Sequence, residues 1–221
     1  MPEEKWFVMT KKADFNHIAA EFGISPVLAR IIRNRDIITE EEVRYFLHGT
    51  LEDLHDPYLL KGMEEGSAFL YGAIREKRRI CIIGDYDVDG ICSTYVLYHA
   101  LQLLGAAVSY RIPHRIKDGY GLNEEIIREC SGQQVEVIVT CDNGIAAAKE
   151  IALAKELGME VLVTDHHEVP YREITGAEGM TEREEILPPS LVIDPKQKGC
   201  PYPYKGICGA VVAYKLVQVL L

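Results

Sequence analysis

Basic residues are in short supply: 24 lysines and arginines stand against 34 aspartates and glutamates, a formal net charge of -10. Bulk charge alone therefore does not hold this chain to nucleic acid, which leaves a local basic patch or bridging metal ions as the means of contact. No two of the six cysteines (Cys81, Cys92, Cys130, Cys141, Cys200, Cys208) form a CxxC pair, which argues against a thiolate zinc site. Several lie in apolar runs and read as buried free thiols of a reducing compartment. No apolar run approaches the roughly 20 residues of a membrane span, and Met1-Pro2-Glu3-Glu4-Lys5 does not open a signal peptide. The expectation is a cytoplasmic protein with no membrane contact. Internal repeats and low-complexity tracts are also missing. With 48% apolar residues over 221 positions, there is material for one large domain, or a domain with a small appendage, around a substantial core.

From Asp14 to about Lys77 the apolar spacing is helical. Ile18, Phe22, Val27, Ile31 and Ile32 form one stripe, and Ser25-Pro26 reads as a cap followed by a first-turn proline. Thr39-Glu40-Glu41-Glu42 is a capping box opening a helix with Val43, Phe46 and Leu47, and Asp56-Pro57 interrupts the pattern before Leu60. Residues 1–78 are thus expected to form a helical N-terminal region that serves as scaffold. From Ile80 the rhythm changes to strands (80–84, 108–112, 135–140, 161–164, 191–193) alternating with helices (91–104, 123–130, 145–157, 210 to the end). That alternation predicts an α/β domain over 79–221, a parallel sheet with helices on both faces and right-handed crossovers. The polar, proline-ended stretch from Glu173 to Pro189 reads as a mobile surface loop.

The chemistry concentrates where strands end. Ile80-Cys81-Ile82-Ile83 runs into Gly84-Asp85-Tyr86-Asp87-Val88-Asp89-Gly90, with three carboxylates at alternate positions. In an extended backbone such residues leave the same side about 6–7 Å apart, so they are expected to converge as the strand turns. Anions this close repel unless a cation lies among them. A calcium loop of the EF-hand type also begins D-x-D-x-D-G, but its twelfth position needs a bidentate glutamate and holds Val96 here. Two further apolar runs end in the same way, at Asp142-Asn143-Gly144 and at Asp165-His166-His167. In a parallel sheet these ends share one edge, where Asp89, Asp142 and His166 are expected to meet. Carboxylates with one or two imidazoles suit Mn²⁺ or Mg²⁺. Two such ions about 3.5–4 Å apart clamp the attacking and leaving oxygens of a phosphoryl ester.

Gly84-Asp85-Tyr86-Asp87-Val88-Asp89-Gly90, Thr140-Cys141-Asp142-Asn143-Gly144 and Asp165-His166-His167 resemble the first three motifs of the DHH phosphoesterases. Further stretches resemble the RecJ-like branch, the single-strand-specific 5′-to-3′ DNA exonucleases. They are Leu54-His55-Asp56-Pro57, Ile112-Pro113-His114-Arg115, Gly119-Tyr120-Gly121-Leu122, Asp194-Pro195-Lys196-Gln197 and Cys200-Pro201-Tyr202-Pro203-Tyr204-Lys205-Gly206. The resemblance implies hydrolysis of single-stranded DNA to 5′-mononucleotides in repair and recombination, with Mn²⁺ or Mg²⁺ in a two-metal site. It implies Asp87, Asp89, Asp142 and His166 as metal ligands, Asp85 as a ligand or its support, and His167 as a donor to the scissile phosphate.

His114 and Arg115 are candidate phosphate contacts because arginine offers a planar fork. Gly206 and Gly209 open a helix whose N–H groups could hold a phosphate, and Tyr202 and Tyr204 could stack bases. The family carries a further aspartate motif and C-terminal domains beyond Leu221, so the chain reads as an N-terminal fragment, inactive by itself if the missing ligand is essential. The 173–189 stretch is longer than the family usually has. The alternatives are a DHH phosphodiesterase of short oligonucleotides or cyclic dinucleotides, and an inactive nucleic-acid-binding or scaffold fragment. Relatives of the first kind usually open with Asn-Pro-Asp, which Gly84-Asp85-Tyr86-Asp87 does not match.

Overall fold

The computed structural model describes residues 4, 5, 7, 11–117, 119, 121–175 and 181–221. Residues 1–3 of the N-terminal reading, Tyr120 and positions 176–180 of the 173–189 stretch lie outside the described residues. The chain forms two compact units, Met1–Leu54 and His55–Leu221.

The first unit holds α1 (Phe15–Phe22), α2 (Pro26–Asn34) and α3 (Glu40–His48). Each start is explained by its cap. Asp14 accepts from the N–H groups of Asn16 and His17, Ser25 from Leu28 with Pro26 at the first helical position, and Thr39 and Glu42 close a reciprocal capping box. Of the expected apolar stripe only Ile32 is fully buried, beside Ala19, Ala29 and Val43, whereas Val27 is 68% exposed.

The second unit begins with α4 (Met63–Arg75) and then alternates β1 (Arg79–Ile83), α5 (Val88–Leu103), β2 (Ala107–Arg111), α6 (Glu124–Gly132), β3 (Val137–Cys141), α7 (Ala148–Glu156) and β4 (Glu160–Thr164). An antiparallel hairpin follows, β5 (Tyr171–Thr175) with β6 (Thr181–Glu185), then β7 (Leu191–Ile193) and α8 (Gly209–Leu220). Five strands make one parallel sheet in the order β2-β1-β3-β4-β7. Successive side chains leave opposite faces of a strand, and the two cores separate accordingly. Ile80, Ile82, Val137, Val139 and Leu162 pack with α4, α5 and α8, while Cys81, Ile83, Ile138, Val161 and Val163 pack with α6 and α7. Helix α4, which the periodicity groups with the N-terminal helices, packs through Met63, Leu70 and Ile74 in the first of these cores.

The hairpin corrects the expectation of a loop over 173–189. Its strands are polar, Tyr-Arg-Glu-Ile-Thr and Thr-Glu-Arg-Glu-Glu, so no apolar alternation marks them. Cross-strand pairs join them instead: Arg172 Nε donates to Glu184 at 2.6 Å, and Arg183 lies 4.2 Å from the centre of the Tyr171 ring. All six cysteines are free thiols, and Cys92 and Cys208 are exposed rather than buried.

Candidate metal centre

The chain passes from β1 out to β2 and then back to β3 on the other side of β1. The strand order reverses between β1 and β3, and open α/β sheets bind ligands at the carboxyl edge of such a point. Backbone pairing continues one residue past the strands: Gly84 N–H donates to Arg111 C=O, Asp142 N–H to Thr164 C=O and Asp165 N–H to Ile193 C=O. Asp85, Asp142, Asp165 and Asp194 therefore leave the sheet at nearly one level.

The three alternate aspartates converge, but not by strand alternation. Strand β1 stops at Ile83, Asp87 caps α5 by accepting from Gly90 N–H at 2.9 Å, and Asp89 lies in the first turn of that helix. Gly90 is required for this packing, because a Cβ there would fall 2.5–2.7 Å from backbone atoms of Asp85. Asp85 is 1% exposed, and neither carboxylate oxygen has a hydrogen-bond partner. Asp89 is used differently. Its two oxygens accept from the N–H groups of Gly209 and Ala210 at 2.7 and 2.8 Å, tying the start of α8 to the start of α5. The phosphate expected at this helix N-terminus is thus replaced, at Gly209, by a carboxylate of the chain itself. Gly206 lies against the Tyr204 ring, within 3.0 Å of the phenol oxygen measured from a built Cβ.

Asp142 follows β3, is 2% exposed and has φ 60°, a left-handed conformation that aspartate tolerates better than most residues. Its Oδ1 lies 2.9 Å from His166 Nε2, whose distance to Asp89 Oδ2 is 3.4 Å. Asp89, Asp142 and His166 accordingly meet at one point. Burial and the nearby Asp89 and Asp87 carboxylates push the Asp142 carboxyl up, against the pull of the His166 hydrogen bond. His166 is raised chiefly by its hydrogen bond to Asp142, and His167 by its hydrogen bond to Asp165.

Two aspartates beyond the expected set lie at this edge, and one of them, Asp165, organises the site. Asp165 Oδ1 accepts from His167 Nδ1 at 2.7 Å and from the His166 and His167 backbone N–H groups, while Oδ2 accepts from Ile145 N–H. Burial pushes this carboxyl up, but His167 and the N–H donors hold it below its usual range. Asp194 is fully buried; its Oδ1 accepts from Lys196 N–H, Oδ2 has no partner, and burial raises its pKa to about 7. Both stand in stretches singled out by the sequence. The role of Asp165 was not legible there because it depends on the turn after the neighbouring strand β3.

His114 and Arg115 are exposed, after β2. The Arg115 guanidinium lies 5.3 Å from the centre of the Tyr86 ring, between the first two motif aspartates, and His114 Nδ1 accepts from Ile116 N–H at 3.3 Å. Tyr202 is 2% exposed and meets His55 edge-on, so it cannot stack a base, whereas Tyr204 is exposed.

Among the described residues, two sets of side chains bring ligand atoms within 4.8 Å of one another: Asp85, Asp87 and Asp142, and Asp142, His166 and His167. Asp142 belongs to both, the arrangement a pair of cations sharing one carboxylate would need. A divalent ion fits the first set on the chain's own evidence, since it would supply the partner that both buried oxygens of Asp85 lack.

Curated relatives match this chain in sequence and solved structures match it in fold. The single-stranded-DNA-specific exonuclease RecJ of Bacillus subtilis is 38% identical over 218 residues, which is 98% of this chain and 26% of the relative. Its namesake from Thermus thermophilus is 39% identical over 76% of this chain and 23% of the relative. The chain spans about a quarter to a third of the length of the curated relatives it matches. A crystal structure of exonuclease RecJ bound to manganese superposes with a TM-score of 0.61 and 36% identity over 73% of this chain and 37% of that one. RecJ from Thermus thermophilus in complex with Mn²⁺ gives 0.59 and 28% over 93% of this chain and 26% of that one. Residues 79–220 match the DHH family, N-terminal domain, and with the β1, β3 and β4 motifs gathered at one sheet edge the chain belongs to that family.

Proposed function

We propose that this chain carries the metal centre of a phosphodiesterase that degrades single-stranded DNA from its 5′ end to 5′-mononucleotides, in DNA repair and recombination. The observation that carries the reading is the sharing of Asp142 between an all-carboxylate set and a carboxylate–imidazole set, beside the unpartnered buried carboxylate of Asp85. RecJ proteins of Bacillus subtilis and Escherichia coli, 38% and 33% identical, support the substrate, and RecJ structures with Mn²⁺ support the ion.

Asp85, Asp87, Asp142 and His166 would hold Mn²⁺ or Mg²⁺, with Asp89 at the edge of the cluster. When bound, two such ions lower the pKa of water and stabilise the charge that develops on the phosphoryl oxygens. The chain's own groups do the rest. Asp165 orients His167 and favours its imidazolium form, which carries a second N–H at Nε2 as a donor to a phosphate oxygen. Arg115, over Tyr86, supplies a fork for an adjacent phosphate, with His114 next to it. No side-chain nucleophile is required. The protein belongs in the cytoplasm in this reading, without membrane contact; among the described residues no helix is long and apolar enough to cross a membrane.

The test is release of mononucleotides from a 5′-phosphorylated single strand in Mn²⁺ by a protein of its relatives' full length that carries this chain. Cleavage is expected to stop with chelator, to spare duplex, and to fall at least a hundredfold in Asp142→Ala and His166→Ala, the usual scale for loss of an electrostatic or ligating group. Chelator-insensitive cleavage, or equal turnover of a cyclic dinucleotide, overturns the assignment.

A further inference from the structure

We infer that the outward face of α5, with the groove beside it, is an intramolecular docking surface. Its occupant is an apolar helix of the same full-length polypeptide, from outside these 221 residues.

Helix α5 is apolar on both sides. One side, with Leu97, Ala100 and Leu101, is buried in the core shared with the sheet and α8. The other carries Val88, Ile91, Cys92, Tyr95, His99 and Leu103, all exposed, and none of the exposed residues of α5 is an aspartate, glutamate, lysine or arginine. Positions 88, 92, 95, 99 and 103 recur at intervals of three and four, so they form one stripe along the helix. Val88 is 78% exposed, Tyr95 66% and Leu103 68%. Helix α6 shows the ordinary pattern: its exposed residues are Glu124, Glu125, Arg128 and Glu129. A helix that is apolar all round belongs inside a structure, and an uncharged stripe of this length on a surface marks a contact.

The face is also shaped to receive a side chain. Between α5 and the edge strand β2 runs a groove of about 310 Å³, walled by Ile91, Tyr95, Tyr98, His99, Tyr110 and Ile112. Its rings hold one another in place. Tyr98 meets Tyr110 edge-on at 5.1 Å, Tyr95 stacks on His99 at 5.8 Å, and Gln102 Nε2 donates to the Tyr98 hydroxyl at 2.9 Å. Aromatic walls fixed in this way lose little further freedom when an apolar side chain enters. The lining holds no lysine or arginine, so a phosphate backbone finds no countercharge there.

Size decides the occupant. The 16 residues of α5 give a face about 24 Å long and one helix, about 10 Å, wide, or roughly 240 Å² in projection. Stable complexes between separate molecules bury ~800 Å² on each side, which this face does not reach. A segment of the same polypeptide needs no such area, because tethering replaces the cost of association with a high effective concentration. The relatives have that polypeptide to supply: the chain corresponds to 26% of the length of the Bacillus subtilis protein and 31% of the Escherichia coli one. One helix laid along α5 at about 8–10 Å between axes covers the stripe and places a leucine or an aromatic ring in the groove.

The experiment uses a protein of the relatives' full length that carries this chain, with the photo-crosslinking residue p-benzoylphenylalanine in place of Tyr95 or, in a second variant, of Leu103. Irradiation is expected to give a product of monomer mass in which the joined peptide, identified by mass spectrometry, comes from outside the 221 residues. Cys92, exposed on the same stripe, reports the cover without any crosslink. Its alkylation by a maleimide, followed on its own peptide, should run at least about tenfold slower than in the urea-unfolded protein. The double variant Tyr95→Asp, Leu103→Asp should restore most of that rate with circular dichroism unchanged. A crosslink to a second copy, to added single-stranded DNA or within the 221 residues overturns the docking. So does the absence of a crosslink at both positions, or alkylation of Cys92 at the unfolded rate.

Discussion

His166 stands 2.9 Å from Asp142 and 3.4 Å from Asp89, so its protonated ring does for those two carboxylates part of what a cation would do. Asp142 and Asp89 raise its pKa above 6.5 against burial and the neighbouring His167. A raised imidazole stabilises the fold fully below its unfolded value and loses that contribution as pH rises through the folded value. In chelator, stability should therefore decline from about pH 6.5 upward. A metal ion needs the same nitrogen deprotonated, so Mn²⁺ affinity should rise over the same interval, about tenfold per pH unit for one displaced proton. Calorimetry in buffers of different ionisation heat counts that proton; a pH-independent affinity removes His166 from the ligands. Asp194 contributes with the same sign. Burial lifts it from 3.8 to about 7, so its contribution is complete below pH 3.8 and gone once the pH passes about 7. Asp194→Asn keeps an oxygen for Lys196 N–H and removes the buried charge. It should stabilise the chain in chelator by roughly 1–3 kcal/mol at pH 8, and by nothing at pH 3.5, as read from urea unfolding midpoints.

At the scale of the element, the first turn of α8 matters more than its apolar length suggests. Gly209 and Ala210 donate to Asp89, and a Cβ on Gly209 would fall 2.8 Å from Asp142 Cβ and Oδ1. Gly209→Ala must push α8 away from both aspartates at once. Mn²⁺ affinity by titration calorimetry should drop at least tenfold, about 1.4 kcal/mol, with helix content by circular dichroism unchanged. Such couplings mark the limit of what the residues reveal in order. The apolar runs of β1, β3 and β4 and the caps at Ser25 and Thr39 are local signals, and the elements form where those signals place them. The convergence of Asp89, Asp142 and His166 was legible too, because a parallel sheet puts strand ends on one edge. Long-range pairing is where local signals stop. Asp89 capping a helix some 120 residues later, Asp165 holding the Ile145 loop and His167 together, and Asn143 bound to the β1 carbonyl of Ile83 are tertiary facts. The β5–β6 hairpin escaped for a different reason. It buries too little apolar surface to alternate, and its pairing rests on Arg172–Glu184 and on Arg183 over Tyr171.

For the whole molecule, the position of α4 decides how the chain can be divided. Apolar periodicity runs on from α3 into α4 and suggests a break near residue 78, yet Leu60, Met63, Leu70 and Ile74 belong to the core beneath the sheet. Each such side chain contributes about 1.5–3 kcal/mol when buried. The four together contribute roughly 6–12 kcal/mol, comparable with the ~5–15 kcal/mol that holds a domain folded. A polar tie points the same way. Lys215 of α8 is fully buried, burial pulls its ammonium down, and its Nζ donates to the carbonyl of His55 at 2.5 Å. Without that carbonyl a charged donor would be stranded among apolar residues, which costs several kcal/mol more. A chain of residues 55–221 is therefore expected to unfold in one cooperative thermal transition, with Mn²⁺ raising its midpoint. A chain of residues 79–221, cut where the periodicity alone would cut it, should show no cooperative transition and should bind a hydrophobic dye. Cooperative melting of the shorter chain at the midpoint of the longer one would mean that α4 and His55 are not part of the unit that carries the metal centre.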